Sequence, residues 1–225
     1  MGNLTKHLLR SIIYQENIHY FVETGTWRGD AVYTAQQLGY PEIHTIEYDL
    51  THAKNAVDRF HDISNIYCWL GDSSIVFSHL VKQFDKEKRV VFWLDAHMHP
   101  FDIDNNQTIL TKEQKNSYGE LKINQHIIYS EFDAIVKYRR KCRDIIIMDD
   151  LHLYLPGPYR NCRHPELNCT EDTLNLPQEM IEDYYVLKCY REEGTLCLIP
   201  KIEEDTPEEE KELIIDELAV YGMTI

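Results

Sequence analysis

The chain has 225 residues, 43% of them hydrophobic and 27% charged, the balance of one globular domain at about 100–200 residues per domain. Its formal charge of −15 argues against nucleic acid as a partner, because a polyanion needs a concentrated basic surface. No apolar run approaches the ~20 residues that cross a bilayer, and the N-terminus lacks the apolar core and cleavage site of a secretory signal. A soluble cytoplasmic protein is expected, with no membrane partner and with a homo-oligomer open to it.

Residues 1–17 carry Leu4, Leu8, Leu9, Ile12 and Ile13 at helical spacing, which predicts an N-terminal covering helix. IHYFVE (18–23) is an apolar run that stops at a glycine-bearing turn, and a helical pattern follows from Asp30 to about Leu38. EIHTIEYD (42–49) precedes LTHAKNAVDRF, in which Leu50, Ala53, Val57 and Phe60 share a face. NIYCWLGDS (65–73) precedes SIVFSHLVKQF. RVVFWLDAH (89–97) opens a long polar segment before the helical IIYSEFDAIVKYRRK, and RDIIIMDD (143–150) closes the series. Apolar strands alternating with helices predict a parallel sheet covered on both faces, with right-handed connections.

The last portion differs. DYYVLKCYRE (183–192), a turn at Gly194 and TLCLIP (195–200) read as a β-hairpin. The segment 201–225 is acidic, and a solvated helix or tail is expected there. The fold class is therefore α/β: one domain over 1–225, a Rossmann-like open sheet of about seven strands, mostly parallel with an antiparallel C-terminal hairpin. Six cysteines show no CxxC pair, and Cys68, Cys189 and Cys197 lie in strand-like apolar runs. Cys162 and Cys169 flank His164 at the wrong spacing for a common zinc knuckle.

In an open α/β sheet, ligands bind beyond the carboxyl ends of the strands. The first strand ends in Glu23, Thr24, Gly25, Thr26, Trp27, Arg28 and Gly29. Gly25 permits a tight turn and Gly29 a close helix approach. Trp27 stands where a pyrophosphate wants bare backbone, and the Glu23 carboxylate suits a ligand ammonium. Glu47 ends the second strand, where an acid accepts hydrogen bonds from ribose hydroxyls. Gly71, Asp72 and Ser73 end the third, and Asp72 or Ser73 also suits a helix N-cap.

Asp95 and His97 follow the fourth strand; Asp149, Asp150 and His152 follow the fifth. Adjacent strand ends lie about 5 Å apart, so three carboxylates are expected to converge. A hard divalent cation is the usual remedy for such clustering, and oxygen ligands favour magnesium, calcium or manganese over zinc. The alternative is that Asp149 or Asp150 caps a helix while Asp95 binds the cofactor.

Parallel βα units closed by a reversed hairpin, together with the turn VETGTWRG, resemble the class I S-adenosylmethionine (SAM)-dependent methyltransferases over roughly residues 1–200. The resemblance implies SAM as cofactor, held by Glu23, Thr24, Gly25, Thr26, Trp27, Gly29, Glu47, Gly71, Asp72, Ser73 and Asp95. Glu-Thr-Gly-Thr looks like a variant found among small-molecule and sugar methyltransferases. FWLDAH, EFDAI and IIIMDD together look like a bacterial and viral group of metal-dependent O-methyltransferases tied to sugar or glycan modification.

Carried across, that likeness makes Asp95, Asp149 and Asp150 magnesium ligands and Asp95 part of the catalytic set. The metal would acidify and orient an acceptor hydroxyl. His97 is the first candidate for the base and His152 the second. Catechol-type enzymes place a lysine three positions after the first metal acid, where this chain has Met98. Two long segments, 98–125 and 151–178, are expected as substrate lids whose tyrosines, among them Tyr118, Tyr154 and Tyr159, would line the pocket for a sugar or other small hydroxylated acceptor. The expected reaction is methyl transfer to a sugar hydroxyl. The alternatives are a small aromatic acceptor, a metal-independent methyltransferase, an NAD-dependent oxidoreductase and a non-catalytic binding module.

Overall fold

The computed structural model describes residues 18–96, 122–163, 165–204 and 206–220; the helix expected at 1–17 lies outside them. Its strands are β1 (Ile18–Thr24), β2 (Glu42–Glu47), β3 (Ile66–Leu70), β4 (Arg89–Leu94), β5 (Ile145–Met148), β6 (Tyr184–Cys189) and β7 (Thr195–Pro200). The described helices are α1 (Asp30–Leu38), α2 (Leu50–Phe60), α3 (Ser73–Val81), α4 (Lys122–Arg139), α5 (Gln178–Asp183) and α6 (Glu208–Val220).

The strands form one sheet in the order β3-β2-β1-β4-β5-β7-β6. β7 pairs antiparallel with both β5 and β6, so it alone runs against the others. β4 and β5 are buried at every position, which is why RVVFWL and IIIM read as continuous apolar runs rather than alternating ones.

Each face of the sheet has its own core. On one, Val22, Ile46, Phe92, Leu94 and Met148 pack with Phe77 and Leu80 of α3 and Phe132 and Ile135 of α4. On the other, Phe21, Ile43, Val91, Trp93 and Ile147 pack with Val32 and Ala35 of α1, Ala56 and Phe60 of α2, and Ile214 of α6. The central strands are thus covered on both sides, whereas the edge strand β3 has no buried residue, with Tyr67, Trp69 and Leu70 exposed.

The helices differ in detail from the sequence pattern. α2 buries Ala53, Ala56 and Phe60, whereas Leu50 is 66% and Val57 48% exposed. The small alanines let α2 sit close to the sheet, and this turns Leu50 and Val57 outward. α4 begins at Lys122, inside the segment expected to be loop, and 98–121 of that segment lies outside the described residues. The second expected lid is folded: Leu151, Leu153, Tyr154 and Leu155 are buried in the core, and Thr173 N donates to Tyr154 O at 2.8 Å. The acidic C-terminal segment is docked rather than wholly solvated, because α6 inserts Ile214 into the core and pairs Glu210 with Arg89 at 3.0 Å. No helix among the described residues is long and apolar enough to cross a membrane.

A buried ion pair ties the lower end of the sheet. Arg139 of α4 donates Nε to Asp144 Oδ2 at 2.6 Å and Nη2 to Asp144 Oδ1 at 3.0 Å. Arg139 Nη2 also donates to Lys88 O at 2.7 Å, and Asp144 Oδ1 also accepts from Val90 N at 2.8 Å. The pair therefore joins α4 to the entries of both β4 and β5.

Candidate functional site

The strand order reverses between β1 and β4, so the crevice for a ligand opens above their carboxyl ends. Gly25 stands at this point with φ +82, in the left-handed region that glycine enters freely. A Cβ there would lie 2.3 Å from Asp95 O. Glycine is thus required twice over, by the turn and by the close passage of β4. Gly29 has φ +73, and a Cβ on it would meet Phe60 Cε2 at 2.7 Å. The helix it lets approach is therefore α2.

Glu23 is 2% exposed. Cys68, Thr45, Glu23 and Trp93 lie in one row across β3, β2, β1 and β4. Thr45 Oγ1 donates to Glu23 Oε2 at 2.6 Å. That commits the Thr45 proton, so the 2.5 Å contact between Thr26 and Thr45 hydroxyls has Thr26 as donor. Glu23 therefore holds the loop through two threonines.

Burial pushes the Glu23 carboxyl well above the ordinary glutamate range, Thr45 partly offsets this, and the charges of Asp95, Glu47 and Asp30 raise it further. Its folded pKa thus exceeds its unfolded value of about 4.5. The folded state keeps the proton where the unfolded state has released it, so this group's contribution to stability falls as pH rises through that interval. Glu23→Gln, which keeps an acceptor for Thr45, is expected to gain on the wild type in Tm as pH rises above about 4.5. A Tm difference independent of pH would contradict this sign.

Glu47 ties the other side of the loop. Its Oε2 accepts from Trp27 N at 2.7 Å and its Oε1 from Asp49 N at 2.8 Å. Trp27 has φ +44, a left-handed conformation that costs a non-glycine residue about 1–2 kcal/mol. The Arg28 guanidinium lies 4.3 Å from the Trp27 ring centre. α2 and α3 are capped by the side chains of Asp49 and Asp72. No side chain caps α1, whose N-terminus follows this loop, and uncapped helix amides suit a ligand carboxylate.

Among the other expected cofactor residues, Thr24, Thr26, Gly29 and Ser73 are buried, while Gly25, Trp27, Glu47, Gly71, Asp72 and Asp95 are partly open. Asp72 accepts from Ser74 N at 2.9 Å, so the capping role applies to it. Asp95 N lies 3.1 Å from Thr24 O and 3.3 Å from Thr24 Oγ1. Thr24 Oγ1 also donates to Glu131 Oε2 at 3.4 Å. Thr45 and Glu131 were not singled out from sequence. Each carries a signal there: a threonine between Ile43 and Ile46 in the strand EIHTIE, and an acid on the Ile128–Ile135 face of α4.

Among the described residues, no three His, Cys, Asp or Glu side chains form a group that could hold a metal ion. The expected convergence of Asp95, Asp149 and Asp150 is therefore not formed. Asp149 N continues the ladder to Leu94 O at 3.0 Å, whereas Asp150 enters the left-handed region at φ +50 and starts the turn Leu151–Leu153. Both acids are buried, and Asp95 is partly open. The donor set as arranged does not fit a cation.

His97 and His164 lie outside the described residues. His152 is fully buried, and its Nδ1 lies 3.1 Å from Glu193 O. A carbonyl only accepts, so Nδ1 carries the hydrogen and Nε2 is the basic nitrogen of the neutral ring. Tyr154 is buried against the core, while Tyr159 is partly open and donates to Leu155 O at 2.6 Å.

No family model and no curated protein sequence matches the chain. Solved structures do. A Staphylococcus aureus protein assigned as a caffeoyl-CoA O-methyltransferase superposes with a TM-score of 0.54 at 16% identity, over 89% of this chain and 85% of that one. The Podospora anserina methyltransferase PaMTH1, crystallised with S-adenosylhomocysteine (SAH), gives 0.54 at 13% identity, over 90% and 80%. The sheet and its covering helices thus have the Rossmann-like methyltransferase fold.

Proposed function

We propose that the chain is a SAM-dependent O-methyltransferase acting on a small hydroxylated acceptor, with a sugar hydroxyl as the site of methylation. The observation that carries this reading is the acidic switch point. Glu47 and Asp95 act electrostatically on the buried, proton-retaining Glu23 at one loop, while Asp30 is paired with Arg59 at 3.0 Å and Arg28 is the loop's own basic residue. Such a site repels a pyrophosphate and favours a ligand with net positive charge. SAM, with a sulfonium and an ammonium against one carboxylate, is such a ligand. The fold shared with known methyltransferases supports the reading, and the sugar class rests on the likeness of FWLDAH, EFDAI and IIIMDD.

SAM, when bound, supplies an activated methyl group. The chain's own residues do the rest. Glu47 holds the loop by two backbone amides and, because each carboxylate oxygen accepts more than one hydrogen bond, can also accept ribose hydroxyls. Glu23 stiffens the loop through Thr45 and Thr26. Asp95 stands beside Gly25, where the methionine ammonium would be received. His97 or His152 would take the acceptor proton, His152 at Nε2. No step is assigned to a metal.

Trp27 then forms a wall of the cofactor site. Trp27→Gly is expected to leave stability unchanged or raised by up to ~1 kcal/mol, since the left-handed strain is relieved, while SAH affinity falls about three- to tenfold with the lost aromatic contact. Thermal unfolding and calorimetry check the two signs independently.

The reaction is tested with methyl-labelled SAM and a panel of free sugars, glycosides and catechols, with magnesium or EDTA. Label in a sugar ether is the expected outcome. Label confined to catechols would make the acceptor aromatic. Activity lost in EDTA and restored by magnesium would mean that the acids after β4 and β5 gather round a cation on loading.

A further inference from the structure

The opposite end of the sheet holds a cavity that the cofactor reading does not use. Arg89 opens β4 and Leu94 ends it, which at ~3.3 Å per residue separates this cavity from the switch point by roughly 17 Å. The cavity measures about 400 Å³, and Lys86, Arg89, Lys141, Arg143 and Tyr184 contribute to its lining.

Two of its lining residues carry buried polar atoms without a partner among the described residues. Arg89 is 7% exposed. Its Nε donates to Arg143 O at 2.7 Å and its Nη1 to Glu210 Oε1 at 3.0 Å. Arg89 Nη2 and the Tyr184 hydroxyl are buried without a hydrogen-bond partner among the described residues. A buried donor left unmatched is costly, and a guanidinium is best matched by a carboxylate or phosphate oxygen.

The charges around these groups are under-balanced. Arg143 Nη2 uses the same oxygen, Glu210 Oε1, at 3.1 Å, so two guanidiniums share one acceptor atom. Asp183 is committed to Arg140 at 2.6 Å. Glu87 and Glu203 also line the cavity, but both are exposed, as are Lys86 and Lys141. Asp144, the buried carboxylate that acts on both Arg89 and Tyr184, is committed to Arg139 at 2.6 Å, so the buried level is cationic on a chain whose net charge is −15.

We propose that this cavity is an anion site that takes a phosphate group, with Arg89 Nη2 and the Tyr184 hydroxyl as its innermost donors. Lys86, Lys141 and Arg143 draw the anion in. The site is independent of the SAM reading and stands or falls separately from it.

The test is calorimetric titration of the full chain with inorganic phosphate and with glycerol phosphate, at constant ionic strength and with saturating SAH. One phosphate per chain is expected, at roughly millimolar Kd. Tyr184→Phe removes only the unpartnered hydroxyl, so it is expected to leave Tm unchanged while weakening phosphate about tenfold. Arg89→Lys is expected to weaken it further. Tighter binding of the ester identifies an organic phosphate as the occupant, and equal binding identifies free phosphate. No saturable binding, or binding equally strong in wild type and Tyr184→Phe, would overturn the proposal.

Discussion

Gly25→Ala is expected to cost about 2–5 kcal/mol, the sum of a left-handed backbone and an overpacked contact. At ~2–4 °C per kcal/mol for a chain of this size, Tm falls by roughly 5–20 °C. The contact is with backbone: a Cβ would sit 2.3 Å from Asp95 O and 2.8 Å from Asp95 C, so no rotamer change relieves it. β1 and β4 must part, or the loop must move, and either opens the switch point. Gly29→Ala shares the positive φ, but its Cβ would meet a side chain, the Phe60 ring at 2.7 Å, rather than backbone at 2.3 Å. It is expected to cost less. Equal Tm losses for the two variants would contradict this account of the turn.

Arg139→Met is expected to cost about 3–5 kcal/mol, because it leaves the Asp144 carboxylate buried and unpaired. Arg139 and Asp144 are 1% and 0% exposed, so water cannot replace the lost partner. The pair also organises Lys88 O and Val90 N at the entry of β4, so the loss is felt in the central strands. The double variant Arg139→Met with Asp144→Leu removes both charges and is expected to recover a large part of the single-variant loss. Urea unfolding of the wild type, Arg139→Met, Asp144→Leu and the double variant measures this directly. A double variant no more stable than Arg139→Met alone would mean that the backbone contacts, rather than the charge pair, dominate.

The architecture was legible because its central strands are covered on both faces. VVFWL and IIIM are long apolar runs bounded by charges, and the hairpin around Gly194 is marked by its turn. The finer packing was not legible. Alanines against leucine and valine in α2 cannot be ranked from periodicity, since the sheet selects small residues where helices come close. α5 has six residues, too few for a periodic signal. The acidic tail reads as solvated until Ile214 and Glu210 are seen to have partners.

At the site, Glu23, Gly25 and Glu47 stood out because each ends a strand or forms a turn. The Glu23–Thr45–Thr26 chain did not, because it depends on the register that sets Glu23 beside Thr45. The three-acid cluster failed for a local reason. Strand spacing brings Cα positions near one another, but it does not fix side-chain directions past the strand ends, where Asp150 already stands in a left-handed turn.

Calorimetry with SAH and with NAD, on wild type and Glu47→Ala, tests the central claim most directly. One SAH per chain, no NAD binding, and an affinity for SAH at least about tenfold weaker in Glu47→Ala are the expected results. Saturable NAD binding without SAH binding would contradict the assignment of this acidic switch point to SAM.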